Sequence, residues 1–123
     1  MFKDLMSVGE RVAIEIQYCR LPDKYSIKKK VAVSSVTSKS NDSLYVLYND
    51  INEFLKLYLD VFSNGTYNNL QSGNIDVFGI NYYSNEDVKV IIKRLIDKKP
   101  DFYITLLNWL ENANYNGIYI LGI

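Results

Sequence analysis

The sequence has no histidine, one cysteine, two prolines and six glycines among 123 residues. Without an imidazole there is no Ser-His-Asp triad, no histidine-activated cysteine and no zinc site with imidazole ligands. A single thiol, Cys19, excludes an intrachain disulfide and a cysteine metal cluster. With nothing of that kind to activate it, Cys19 is expected to be a small half-buried side chain rather than a nucleophile. The scarce glycines form none of the phosphate-cradling or nucleophile-elbow patterns, and Gly73 and Gly79 have the wrong spacing for either. No apolar run approaches the ~18 residues of a membrane span. The opening Met1-Phe2-Lys3-Asp4 carries an acid and leads into no apolar segment, so a signal peptide is not expected and a cytoplasmic protein is. Excess charge is lacking too. Fourteen basic and fourteen acidic groups cancel, which argues against a polyanion binder acting through bulk charge.

What is present is an ordinary globular balance, 48% apolar and 23% charged. That is enough apolar side chain to offset the ordering entropy of one domain, expected over residues 1–123. Eleven tyrosines and thirteen asparagines stand out. Codon bias accounts for such a composition; so does a surface made for contact, where tyrosine is enriched.

Hydrophobic periodicity gives the elements. From Glu10 to Leu21 the chain alternates, with Val12, Ile14, Ile16 and Tyr18 on one face and Glu15, Gln17 and Cys19 on the other, a half-buried strand. Leu21-Pro22-Asp23-Lys24 is a turn, Ser26–Thr37 reads as a second strand, Ser38–Asp42 as a connection, and Ser43–Tyr48 as a third strand. Asp50 with Glu53 reads as a capping box opening a helix whose stripe is Ile51, Phe54, Leu55, Tyr58 and Phe62, stopped by Asn64-Gly65. Asn74–Tyr83 reads as a central strand with a bulge or close approach at Gly79. Ser84 and Asp87 form a second box before a helix burying Val88, Ile91, Ile92 and Leu95, with Lys98-Lys99 at its negative end and Pro100 beyond. Asp101 is expected to cap a third helix with Phe102, Leu106, Trp109, Leu110 and Ala113 inward, and Ile118–Ile123 is a last strand. The expected fold is α+β, in the order βββαβααβ. A mixed, mostly antiparallel sheet of about five strands carries three helices.

Candidate chemistry is sparse. Asp50/Glu53 and Glu86/Asp87 are carboxylate pairs, but acids at helix starts serve the helix dipole. No metal ligand set or cofactor motif is present, although a magnesium site of carboxylates alone would leave no signature. Lys28-Lys29-Lys30, with Arg20 and Lys24, reads as the protected end of an edge strand or, alternatively, as a small nucleic-acid-binding module over Lys24–Lys30, with Tyr18 or Tyr25 as stacking platform. Charge is unevenly placed: residues 1–48 sum to +3, residues 49–88 to −5 and residues 89–123 to +2. The acidic middle suggests a partner-binding surface of Asn52, Glu53, Lys56 and Asp60 on the first helix joined by Tyr82, Tyr83, Glu86 and Asp87. Such a surface would steer a basic partner.

In length, in its acidic segment (Asp50, Glu53, Asp60, Glu86, Asp87) and in its strand Gly117-Ile118-Tyr119-Ile120-Leu121-Gly122-Ile123, the chain resembles bacterial immunity proteins of contact-dependent growth inhibition systems. The resemblance covers the whole chain and rests on no diagnostic motif. It implies a cytoplasmic protein without enzymatic activity that binds one cognate toxin domain, often a nuclease, and occludes its active site. It implies neither a cofactor nor a membrane.

Overall fold

In the computed structural model, which describes residues 1–8, 11–37 and 39–122, seven strands form one sheet. They are β1 (Phe2–Lys3), β2 (Val12–Tyr18), β3 (Leu44–Leu47), β4 (Gly65–Tyr67), β5 (Ser72–Gly73), β6 (Ile80–Tyr83) and β7 (Ile118–Gly122). The order across the sheet is β1-β3-β2-β7-β6-β4-β5, and every pairing is antiparallel. The helices are α1 (Ile27–Lys30), α2 (Ile51–Tyr58), α3 (Asn85–Lys98) and α4 (Tyr103–Glu111). Glu10, Ser38 and Ile123, where three expected elements begin or end, lie outside the described residues.

The α+β class stands, but the sheet is larger and wholly antiparallel. The short strands β1, β4 and β5 have only two or three residues each, too few to show an alternation. The expected strand over Ser26–Thr37 is instead α1 followed by a 3-10 turn at Val33–Ser35. The reason lies in Ser26, whose hydroxyl accepts from the Lys29 N–H as a helix cap. Of the strand expected over Asn74–Tyr83, only Ile80–Tyr83 is strand; Gly79 closes a turn and is no bulge, but the close approach is there, since a Cβ on it would meet the Asp76 carboxylate at 2.7 Å.

Both faces of the sheet are covered. One face (Ile14, Ile16, Tyr18, Leu44, Val46, Tyr83, Ile118, Ile120) meets α2, α3 and α4 through Phe54, Tyr58, Phe62, Val88, Ile91, Leu95, Leu106 and Leu110. The other face (Cys19, Tyr82, Tyr119, Leu121) is roofed by the segment through α1, with Leu21, Val31 and Val36 packed on it. The alternate face of β2 is therefore buried rather than half-exposed. Its Glu15 carboxylate is fully enclosed and held by the N–H groups of Lys39 (2.7 Å) and Ser40 (3.0 Å), the Ser43 hydroxyl (2.6 Å) and the Gln17 amide (3.1 Å). A buried carboxylate needs such partners, and the roof supplies them.

Local caps follow in part. Ser84 and Asp87 close the capping box on α3. Asp50 makes no cap: a 3-10 turn at Tyr48–Asp50 runs straight into α2 and leaves Asp50 in helical backbone, while an N-cap needs an extended one. Nor does Asp101 cap α4. Phe102 takes that position at φ +69° with its side chain half exposed, not inward. α2 ends at Tyr58, ahead of Asn64-Gly65. No helix among the described residues is long and apolar enough to cross a membrane.

Candidate partner-binding surface

The eight residues expected to form one surface divide into three groups. Asn52, Glu53 and Lys56 are exposed on α2, and Asp60 follows just beyond its end. Tyr82 and Tyr83 are buried on opposite faces of the sheet, so neither is available for contact. Their alternation on β6 dictates this, because neighbouring strand residues point to opposite faces and here both faces are covered. Glu86 and Asp87 begin α3, where Glu86 lies 3.1 Å from the Lys89 ammonium and Asp87 accepts from the Ser84 N–H. Asp60 pairs with Lys98 (3.6 Å) at the opposite end of α3, which at ~1.5 Å per residue is ~18 Å from Glu86. One continuous acidic patch does not form. What survives is the outer side of α2, with Asn52, Glu53, Lys56 and Asp60.

The basic run is also rearranged. Lys30 is buried, 3.7 Å from Asp23 and 5.8 Å from the centre of the Tyr82 ring. Lys28 and Lys29 remain exposed on α1. Tyr18 is no stacking platform, since its ring is stacked on Trp109 at 3.8 Å and its hydroxyl donates to the Trp109 carbonyl. Only Tyr25 is exposed beside the lysines.

Most tyrosines have internal duties. Tyr18, Tyr45, Tyr58, Tyr82, Tyr83 and Tyr119 are buried, and each donates its hydroxyl to a backbone carbonyl, those of Trp109, Ser40, Asp101, Asn116, Phe62 and Lys30 respectively. Burial, reinforced by neighbouring Tyr115 and Asp42, pushes Tyr18 up to about 12. Burial and the Glu15 carboxylate do the same for Tyr45, also to about 12. Tyr58, Tyr82, Tyr83 and Tyr119 are raised further, burial being the first cause in each. Cys19 is buried, as a structural thiol would be.

The most exposed aromatic side chain lies where a strand is expected from the sequence. Phe78 is 87% exposed. It sits on a turn over residues 76–79 whose backbone is tied down from both sides. The Asp76 carboxylate accepts the Phe78 N–H at 3.0 Å, and the buried Asn81 side chain accepts from the Asp76 N–H and donates to the Asp76 carbonyl, both at 2.8 Å. Asn81 also donates to the Ile120 carbonyl at 2.9 Å, which anchors the turn to β7. The turn crosses so close above Gly122 that a Cβ there would strike the Val77 carbonyl, and the Gly122 N–H donates to Gly79. Phe78 thus stands on a fixed base and separates two grooves. One, of about 270 Å³, is lined by Tyr48, Ile51, Asn52, Leu55 and Val77; the other, of about 330 Å³, by Val33, Val36, Asn68, Ile80 and Leu121 among others. Asp76 two residues before Phe78, with Gly79 after it, is the turn signal that the strand expectation overrode.

Among the described residues no cluster of three or more acidic or thiol groups is placed to hold a metal. No family model, curated protein or solved structure matches the chain.

Proposed function

We propose that the protein is an immunity protein, one that binds a cognate bacterial toxin domain, a nuclease, and neutralises it by covering its active site. The observation that carries this is the outer side of α2. Asn52, Glu53 and Lys56 are exposed there and, among the described residues, take part in no ion pair or side-chain hydrogen bond, and Asp60 continues the same side. With Asp50 the segment holds three acids, and Lys56 together with Lys98, which pairs Asp60, leaves an acidic excess of one that attracts a basic nucleic-acid cleft and speeds encounter with it. A covalently simple plug needs a rigid scaffold and no chemistry of its own, and both faces of this sheet are packed. On this proposal the protein works in the cytoplasm of the cell that makes the toxin.

The test pairs the chain with the toxin domain encoded in the adjoining reading frame. Reversing charge at Glu53 and Asp60 together is expected to slow association roughly tenfold at low salt, with a smaller effect at high salt, measured by stopped flow. Unchanged association and inhibition would remove α2 from the contact. A chain with no toxin domain beside it that binds none would end the proposal.

A further inference from the structure

The Phe78 surface asks for an occupant other than a basic cleft. Phe78 (87% exposed), Val33 (68%) and Tyr48 (57%) are three of the most exposed large apolar side chains, and all border the two grooves beside the turn. Among the described residues the only charged one lining either groove is Glu15, itself enclosed and hydrogen-bonded. Apolar area this prominent on a braced turn marks a contact surface. The Asp76 and Asn81 bonds fix the backbone that carries the ring.

We propose that this surface joins two copies of the chain about a two-fold axis, each copy placing its Phe78 ring in the other's groove between Tyr48, Ile51 and Leu55. Three features favour a second copy as the occupant. First, knob and hole lie side by side on one molecule, which is what an isologous contact requires of a single patch. An apolar cavity of ~150 Å³ already admits a benzene ring, and this groove is about 270 Å³. Second, no charged side chain among the described residues lines this groove, which suits an apolar ring from a second copy. Third, the charges at its margins are opposite in sign. Arg11 lies over the Tyr48 ring at 4.5 Å, while exposed Asp76 stands at the base of the Phe78 turn. Exchanging the two turns about the axis places Asp76 of one copy towards Arg11 of the other. Phe78 and Tyr48 alone supply roughly a third of the ~800 Å² per subunit of a standard interface, and the grooves supply further apolar area.

The test is the mass of the full chain in solution, by sedimentation and light scattering over a concentration series. The wild type is expected to reach twice the chain mass. Phe78→Asp and, separately, Tyr48→Asp are expected to raise the dimer dissociation constant roughly 100-fold or more. Both sites are exposed, so thermal melting should show each variant folded; Glu53→Lys should leave the dimer intact. A wild type that stays monomeric at every concentration overturns the proposal, as does a dimer that survives both Phe78→Asp and Tyr48→Asp. Asn52 borders this groove as well as the outer side of α2, so Glu53→Lys keeps the two proposals apart: it is expected to slow toxin association and leave the dimer intact.

Discussion

At the level of single residues, tyrosine is the material from which this core is braced. Leucine or phenylalanine would fill the same volume. Tyrosine also brings a donor, and here each buried donor ends on a backbone carbonyl, for all but Tyr45 one far along the chain, as Tyr119 does on Lys30 and Tyr18 on Trp109. The tyrosine count was plain in the sequence. Its use was not, because no local pattern reveals a carbonyl 89 or 91 residues away. The same gap explains why Tyr82 and Tyr83 were expected at the surface. One consequence concerns alkali. A buried tyrosine with a raised pKa favours the neutral hydroxyl in the folded state. Its contribution to stability is therefore complete below the unfolded value of ~10 and is lost as pH climbs towards the folded value, about 12 for Tyr18 and Tyr45. Phenolate absorbance followed against pH is expected to rise mainly in one cooperative step, together with loss of near-ultraviolet circular dichroism. Ionisation of all eleven tyrosines near pH ~10 with the fold intact would contradict this.

Among elements, legibility depended on length and on whether a pattern had a rival explanation. The long amphipathic α3 and its Ser84–Asp87 box read correctly, since the hydroxyl, the acid and the apolar spacing all agree. The Asp50–Glu53 pair has the same spacing and forms no box. What the pattern cannot show is that the preceding 3-10 turn has already set helical backbone at Asp50. The roof through α1 was misread for a related reason. Its valines suit a strand, yet they serve to cover one, Val31 and Val36 packing over β6 and β7. At this scale, Ser84→Ala is expected to cost about 1 kcal/mol, seen as a lower melting temperature and faster hydrogen exchange in the first turn of α3. Unchanged exchange there would mean that the hydroxyl bond does not hold the turn.

For the molecule as a whole, the decisive feature is where β7 lies. It pairs with β2 on one side and β6 on the other, at the centre of the sheet. The sequence made residues 118–122 a strand from composition alone, but position in a sheet is set by partners distant in the chain. Deleting 118–122 leaves β1-β3-β2 and β6-β4-β5 as separate three-stranded pieces. Each then exposes a new edge, and the apolar faces that met across the centre face water. Such a truncated chain is expected to be unfolded and readily cut by protease, while the intact chain resists. A truncated chain with native-like circular dichroism would show that the halves hold together without the strand between them.

That arrangement has a bearing on birth order. Translation makes the keystone after everything it must hold, so while the earlier residues emerge from the ribosome they have no middle to assemble around. Folding of this chain completes only after synthesis has passed residue 122, and until then nascent chains depend on whatever keeps unfinished sheet edges apart.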